Sequence, residues 1–160
     1  MRNLCIAAAA ATLALAGSAH AASYKLGTLE VADPWSRPAA ANGNGAGFMT
    51  ITNRGKSTEV LKAVETTAAK KTEIHLSSTA GGVMRMARQD GGVAIPAGKS
   101  VSFAPGGYHV MLLGLGKASK AGDKLPATLV FASGARLKVE FTVGTAAPGA
   151  ADPMAGHMHH

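Results

Sequence analysis

The chain has 160 residues, with 16 Lys and Arg against 9 Asp and Glu, which gives a formal net charge of +7. This length fits one domain, and a hydrophobic content of 47% supplies enough apolar side chains for a packed core, so an intrinsically disordered chain is excluded. A single cysteine excludes an internal disulfide and a cysteine-rich zinc site. Seven methionines and six histidines remain as the side chains that need an explanation.

Residues 1–21 have the pattern of a secretory signal peptide. A basic residue near the start is followed by an apolar run over residues 5–16, and Ala19-His20-Ala21 fits an A-x-A cleavage site. The run is shorter than the roughly 20 residues that a membrane-spanning helix needs. Cys5 lies at the start of this run rather than after it, which argues against a lipid anchor. Cleavage near Ala21 predicts a periplasmic protein that contains no cysteine.

The basic surplus does not indicate a nucleic-acid partner, because an exported protein seldom meets nucleic acid. A solvated surface is the ordinary explanation of such a charge, and an acidic docking partner is the alternative.

Short segments with period-two patterning predict an all-β fold after the signal peptide. The predicted strands cover residues 48–52, 72–76, 83–86, 100–103, 108–113, 129–131 and 137–143. Residues 77–82, with two adjacent glycines, are predicted to be a loop, and residues 132–135 a hairpin turn. Residues 61–72 leave a helical turn open, although their β-branched side chains favour a strand. Strands at this spacing, separated by Gly and Pro, favour an antiparallel β-sandwich or barrel.

The composition changes at residue 144. Residues 144–153 are rich in Ala, Gly and Pro without an apolar period, which predicts a disordered linker. Five possible metal ligands end the chain: Met154, His157, Met158, His159 and His160. An expression tag is the alternative, but histidines interleaved with methionines favour a native tail whose imidazoles suit Cu(II). The predicted domains are a signal peptide (1–21), a β domain (22–143) and a linker with a metal-binding tail (144–160).

Four other His and Met residues fall at the ends or edges of predicted strands: His75, Met86, His109 and Met111. His109 and Met111 leave the same face of one strand, because side chains alternate along a strand. Thioether sulfur is soft and neutral and favours Cu(I), and imidazole binds copper in either oxidation state. Thioethers also persist in an oxidising compartment, where cysteine ligands would be lost to disulfides. These residue types therefore indicate a Cu(I) site with two histidines and two methionines.

Core packing and hydrogen bonding are the ordinary roles of a single Met or His. We assign Met49 and Met84 to packing, with Met84 as a reserve ligand because it shares a strand face with Met86. A blue-copper centre needs a cysteine that the processed chain lacks. Glu73 and Asp90 do not complete a hydrolytic metal site, and no G-x-S-x-G motif indicates a serine hydrolase. A structural or adhesive exported domain remains as the alternative from another class.

The spacing of these ligands resembles the signature of the periplasmic copper chaperone A family, PCu(A)C. Ten residues separate His75 from Met86, and twenty-two separate Met86 from the pair at 109 and 111. The flanking segments that also match are Trp35–Pro38, Gly45–Ile51, Glu73–His75, Gly82–Met86, Ile95–Gly98 and Pro105–Leu112. The likeness covers roughly residues 24 to 143. Many family members have Met directly after the first histidine, where this chain has Leu76.

The resemblance implies a cupredoxin-like β-sandwich of Greek-key topology that holds one Cu(I) through His75, Met86, His109 and Met111. It implies a chaperone that passes copper toward the CuA site of cytochrome c oxidase, often together with Sco-type assembly proteins. We expect a monomer that is not an enzyme. Some family members carry a His/Met-rich C-terminal extension that is associated with Cu(II). A storage, tolerance or scavenging protein without an oxidase partner is the alternative. In either role we expect a shallow site near the surface, and neither a membrane span nor a nucleic-acid partner.

Overall fold

The computed structural model describes residues 22–147, which contain eleven β-strands. The strands are β1 (Ser23–Leu26), β2 (Leu29–Ser36), β3 (Gly45–Asn53), β4 (Glu59–Glu65), β5 (Ala69–Ala80), β6 (Val83–Arg88), β7 (Val93–Ile95), β8 (Ser100–Phe103), β9 (Tyr108–Leu115), β10 (Lys124–Phe131) and β11 (Arg136–Val143). The predicted all-β class is confirmed.

The strands form one hydrogen-bonded path in the order β6-β5-β9-β8-β3-β2-β11-β10-β4-β7, and β1 pairs with β2. Pairing is antiparallel except between β11 and β2 and between β8 and β9, which are parallel. Side chains join strands that are distant along this path. Asn53 of β3 donates to the carbonyl oxygen of Ile95 in β7 at 3.0 Å, and the Thr72 hydroxyl of β5 donates to the carbonyl of Val64 in β4. The sheet is therefore folded over onto itself and encloses one core.

Alternation along the strands fills that core. In β11, every second side chain from Leu137 to Val143 is buried, while Arg136, Lys138 and Glu140 are exposed. Three phenylalanines from different strands are at most 2% exposed: Phe103, Phe131 and Phe141. Full burial of a side chain of this size contributes about 1.5–3 kcal/mol. This body provides a rigid support for the strands that carry the predicted ligands.

One predicted loop is wrong in its extent. Residues 77–82 were expected to be a loop, but β5 continues to Ala80 and pairs residue by residue with β6. Only Gly81 and Gly82 form the turn, with φ of 59° and 77°. Two residues with positive φ make the tight turn whose twist matches that of the strands it joins, so pairing can begin at once on either side. The result is a hairpin that projects Met84 and Met86 from a regular strand.

The other differences concern strands with weak patterns. The sequence did not predict β1, β2 or β7. In β2, Asp33 and Pro34 interrupt the alternation at an irregularity in the register with β3, and Asp33 has a positive φ of 49°. Residues 61–72 contain no helical turn, and the strand interpretation is confirmed except at residues 66–68, which connect β4 to β5. The hairpin turn at residues 132–135 is also confirmed, with Gly134 at φ 90°.

Residues 1–21 and 148–160 lie outside the described part of the chain. The signal peptide and the His/Met-rich tail therefore stay predictions from the sequence. Within residues 22–147, no helix is long and apolar enough to cross a membrane.

Candidate metal centre

The two predicted histidine ligands face each other across the β5–β9 pair. His75 is directly opposite His109, and their ring centroids are 5.7 Å apart with an interplanar angle of 62°. Metal–nitrogen bonds are about 2 Å long, so one ion could contact a nitrogen of each ring. Met111 lies two residues beyond His109 on β9, opposite Glu73, and therefore on the same face of the sheet.

The fourth predicted ligand comes from β6, on the other side of β5. Met86 is opposite Ser77, which is two residues from His75 and shares its face. The structure thus brings all four predicted ligands to one face of three adjacent strands. Met84 lies on this face as well, one step closer to the turn, opposite Thr79.

The exposure of these side chains increases from β9 toward β6. His109 is only 5% exposed, and the side chain of His75 is 16% exposed. Met111 is partly buried, whereas Met86 is 54% exposed. The candidate centre is therefore buried at His109 and exposed to solvent at Met86.

Hydrogen bonds fix the proton positions of both rings. The Nδ1 of His109 lies 3.0 Å from the carbonyl oxygen of Gly107. A carbonyl only accepts, so Nδ1 carries the proton and Nε2 keeps a free lone pair. In His75, Nε2 lies 2.8 Å from Oε2 of Glu73, and Nδ1 is buried without a hydrogen-bond partner. Each ring therefore has one nitrogen held by the protein and one available to an ion.

Glu73 is the residue of this face whose contact with His75 the sequence did not reveal. Lys71 Nζ lies 2.6 Å from its carboxylate, and Arg88 donates to it at 3.1 Å. The hydrogen bond from Lys71, followed by the one from His75, lowers the pKa of Glu73 from its ordinary 4.5 to about 2. The carboxylate is therefore ionised and accepts the Nε2 proton of His75. The only signal in the sequence was its position two residues before His75, which places both side chains on one face.

The four predicted ligands offer imidazole and thioether donors, while the Glu73 carboxylate on the same face is held in ion pairs with Lys71 and Arg88. Within residues 22–147, no three His, Cys, Asp or Glu side chains converge so that they could hold a metal ion without the methionines. A cleft of about 660 Å³ is lined by residues such as Tyr24, Glu65 and Pro126 and by none of the predicted ligands. Four neutral donors, two of them soft, suit Cu(I) better than zinc, magnesium or calcium.

Solved structures with a similar fold include PCuAC domains. The "Apo PCuAC domain from PmoF1" is 27% identical with a TM-score of 0.65, and the match covers 77% of this chain and 98% of that one. The "Solution structure of CuI-DR1885 from Deinococcus radiodurans" is 26% identical with a TM-score of 0.57, over 86% of this chain and 89% of that one. The predicted cupredoxin-like, PCuAC-type fold is confirmed.

The sequence places the chain within a family of this class. The family described as "Putative lipoprotein LpqE-like" matches residues 29–143, and the chain belongs to this family. A curated relative is the "Putative lipoprotein Lxx21020" of Leifsonia xyli subsp. xyli. It is 33% identical over 129 residues, which are 81% of this chain and 77% of the relative.

Proposed function

We propose that this protein is an exported copper chaperone that binds one Cu(I) through His75, Met86, His109 and Met111 and releases it to a partner without catalytic turnover. The observation that carries the proposal is the register of three adjacent strands, which puts all four side chains on one face. Each ring uses one nitrogen in a hydrogen bond within the protein, and Nδ1 of His75 is buried without a hydrogen-bond partner.

The comparisons support copper as the cargo. The similar protein DR1885 was solved in its CuI form, and the PmoF1 domain is named as a PCuAC domain. Both are more than 25% identical to this chain over most of its length. We therefore assign copper, rather than zinc or calcium, to the His/Met face.

The graded exposure of the ligands suits transfer rather than permanent storage. A partner can reach Met86, which is more than half exposed, while the buried His109 still binds the ion. Neutral ligands do not have to take up protons when they release the ion, so exchange with a partner's ligands requires no change of charge. A binding site of this kind can deliver its ion through a transient contact.

For the recipient we propose the subunit that carries the CuA site of cytochrome c oxidase, or a Sco-type assembly protein. The location that we propose is the periplasm, after cleavage near Ala21. The LpqE-like relatives are named putative lipoproteins, but Cys5 of this chain lies at the start of the apolar run. We therefore propose release of the processed chain rather than a lipid anchor at this cysteine. Copper tolerance or scavenging without an oxidase partner is the second candidate function.

The experiment that tests the proposal is an anaerobic Cu(I) titration against a competing chelator, followed by transfer to the copper-free CuA subunit. We expect the chain to retain Cu(I) at the folded site and to load the acceptor faster than the chelator complex does. Failure to compete for Cu(I) would contradict the proposal as a whole. Tight binding without accelerated loading would instead favour the tolerance or scavenging function.

A further inference from the structure

The β5–β6 hairpin exposes an unusual group of apolar side chains. Among residues 22–147, four large hydrophobic side chains are exposed, and three of them lie on β6: Val83 at 58%, Met84 at 68% and Met86 at 54%. All six residues of β6 are exposed, and the strand forms one end of the hydrogen-bonded path. Single exposed apolar residues are ordinary, but a group on one strand indicates contact with something outside the domain.

The two methionines of this group are placed to share one ion. Met84 and Met86 are two residues apart on a strand, so their side chains leave the same face with α-carbons roughly 7 Å apart. Their flexible thioether chains can bring both sulfurs to one Cu(I). Val83 points to the opposite face and provides exposed apolar surface without sulfur.

On this face, the side chains that lie farther from the histidine pair are more exposed to solvent. His109 is buried, Met86 is half-exposed, and Met84, which is nearer the turn than Met86, is the most exposed of the group. An incoming partner would therefore meet Met84 before it met the ligands of the proposed centre. Softness makes any such contact specific for Cu(I), since a thioether has little affinity for the harder ions of the surroundings.

We propose that Met84 is a transfer ligand, which takes Cu(I) from Met86 on the way out and passes it to Met86 on the way in. This inference rests on the proposed function and adds to it the path by which Cu(I) enters and leaves the site. As the bond from copper to the Met84 sulfur forms, a bond from copper to one of the more buried ligands breaks. Copper remains Cu(I), and a neutral thioether neither gains nor loses a proton, so the step needs neither a reductant nor a base.

The test compares Met84→Leu with Val83→Leu in the full chain loaded with one Cu(I) under anaerobic conditions. Both substitutions keep an exposed apolar side chain on β6, but only the first removes a sulfur. We expect Met84→Leu to slow Cu(I) transfer to a bicinchoninate chelator by about tenfold while the equilibrium affinity stays within about threefold of the parent. Val83→Leu is expected to transfer at the rate of the parent.

Three results would overturn the inference while leaving the proposed function intact. Met84→Leu could transfer as fast as the parent. Val83→Leu could also be slowed equally, which would make the shape of the β6 side chains rather than the sulfur the cause. Met84→Leu could also lose as much affinity as Met86→Leu, which would make Met84 a permanent ligand. If the parent itself retained no Cu(I), both the proposed function and the transfer ligand would be wrong.

Discussion

At the scale of single residues, the candidate centre depends on which atoms of each ligand are free. The Nδ1 of His109 is occupied by a backbone carbonyl, and the Nε2 of His75 by the Glu73 carboxylate. Two histidines that are directly opposite in the sheet would therefore offer different nitrogens to an ion. Residue types and spacing could predict the ligands, but not this asymmetry, because it depends on which polar groups fold against each ring.

Replacing Met111 tests the thioether contribution directly. Met111→Leu nearly conserves volume, so the change should cost the fold less than about 1.5 kcal/mol. Loss of a soft donor should lower Cu(I) affinity by about tenfold or more, which corresponds to at least about 1.4 kcal/mol. Chelator competition measures the affinity, and thermal unfolding checks the fold. If Met111→Leu bound Cu(I) as tightly as the parent, the proposed ligand set would be incorrect.

Replacing Glu73 tests whether it orients His75. Glu73→Leu removes the acceptor for the Nε2 proton, so the two neutral tautomers of His75 should mix and Cu(I) affinity should fall severalfold. Glu73→Gln keeps an acceptor oxygen and should preserve most of the affinity. The ¹⁵N chemical shifts of the His75 ring report the tautomer directly.

Glu30→Leu is the matched control for Glu73→Leu. Glu30 is also a strand glutamate in an ion pair, 2.8 Å from Arg54, but it lies on β2 and contacts none of the proposed ligands. The control should leave the His75 spectrum and Cu(I) binding unchanged. A parent-like spectrum in Glu73→Leu would show that packing alone orients the ring.

At the scale of secondary structure elements, the site is assembled from one well-supported strand pair and one projecting hairpin. β5 and β9 are paired along seven positions and carry the histidines and Met111. Among the strands of residues 22–147, β6 pairs with β5 alone, and all its side chains are exposed. Movement of the hairpin relative to the copper therefore costs less free energy than movement of β9, because β9 contributes side chains to the core.

The turn of this hairpin offers a test at the same scale. Gly82 has a φ of 77°, and a β-carbon added there would meet no other atom within 4 Å, so Gly82→Ala introduces backbone strain without a clash. That strain costs about 1 kcal/mol and should loosen the hairpin. We expect Cu(I) affinity to fall severalfold with little change in the melting temperature of the domain. Chelator competition and calorimetry measure the two quantities.

Gly134→Ala provides the matched control, since Gly134 also has a positive φ, of 90°, and open space around it. It lies in the turn between β10 and β11, whose side chains fill the core. The control should lower the melting temperature and leave Cu(I) affinity unchanged. Equal Cu(I) affinity in Gly82→Ala and the parent would mean that the hairpin does not hold copper through Met86.

At the scale of the whole molecule, we expect the tail that the sequence predicts to bind a second copper ion through different chemistry. His157 is fourteen residues beyond Val143, so a fully extended linker would span at most about 50 Å, which is longer than a small domain is wide. The tail histidines favour Cu(II), whereas the methionines of the folded site favour Cu(I). We therefore expect two copper equivalents that differ in oxidation state.

Truncation after Val143 separates these equivalents. The shortened chain should lose a Cu(II) equivalent and keep its Cu(I) equivalent, because the four proposed ligands of the sandwich are unchanged. Isothermal titration with Cu(II) and anaerobic titration with Cu(I) measure the two equivalents independently. Unchanged Cu(II) binding by the truncated chain would contradict a metal-binding tail.

The sequence alone determined the fold class and the candidate ligands of this protein. Alternation in β11 and the turn glycines are local properties, which a strand or a hairpin imposes on its own residues. The spacing of the four proposed ligands is also visible in the sequence, because His75, Met86, His109 and Met111 lie at fixed positions on three strands. Patterns of this kind do not depend on how the strands pair.

Only the tertiary structure decided how these residues meet. Pairing of β5 with β9 and β6 fixes which side chains share a face, and this register depends on long-range hydrogen bonds that leave no local signal. The same pairing places Glu73 against His75, between Lys71 and Arg88, and leaves Met84 exposed at the edge. Chemistry that depends on distance between strands, rather than on order along the chain, becomes visible only when the sheet is formed.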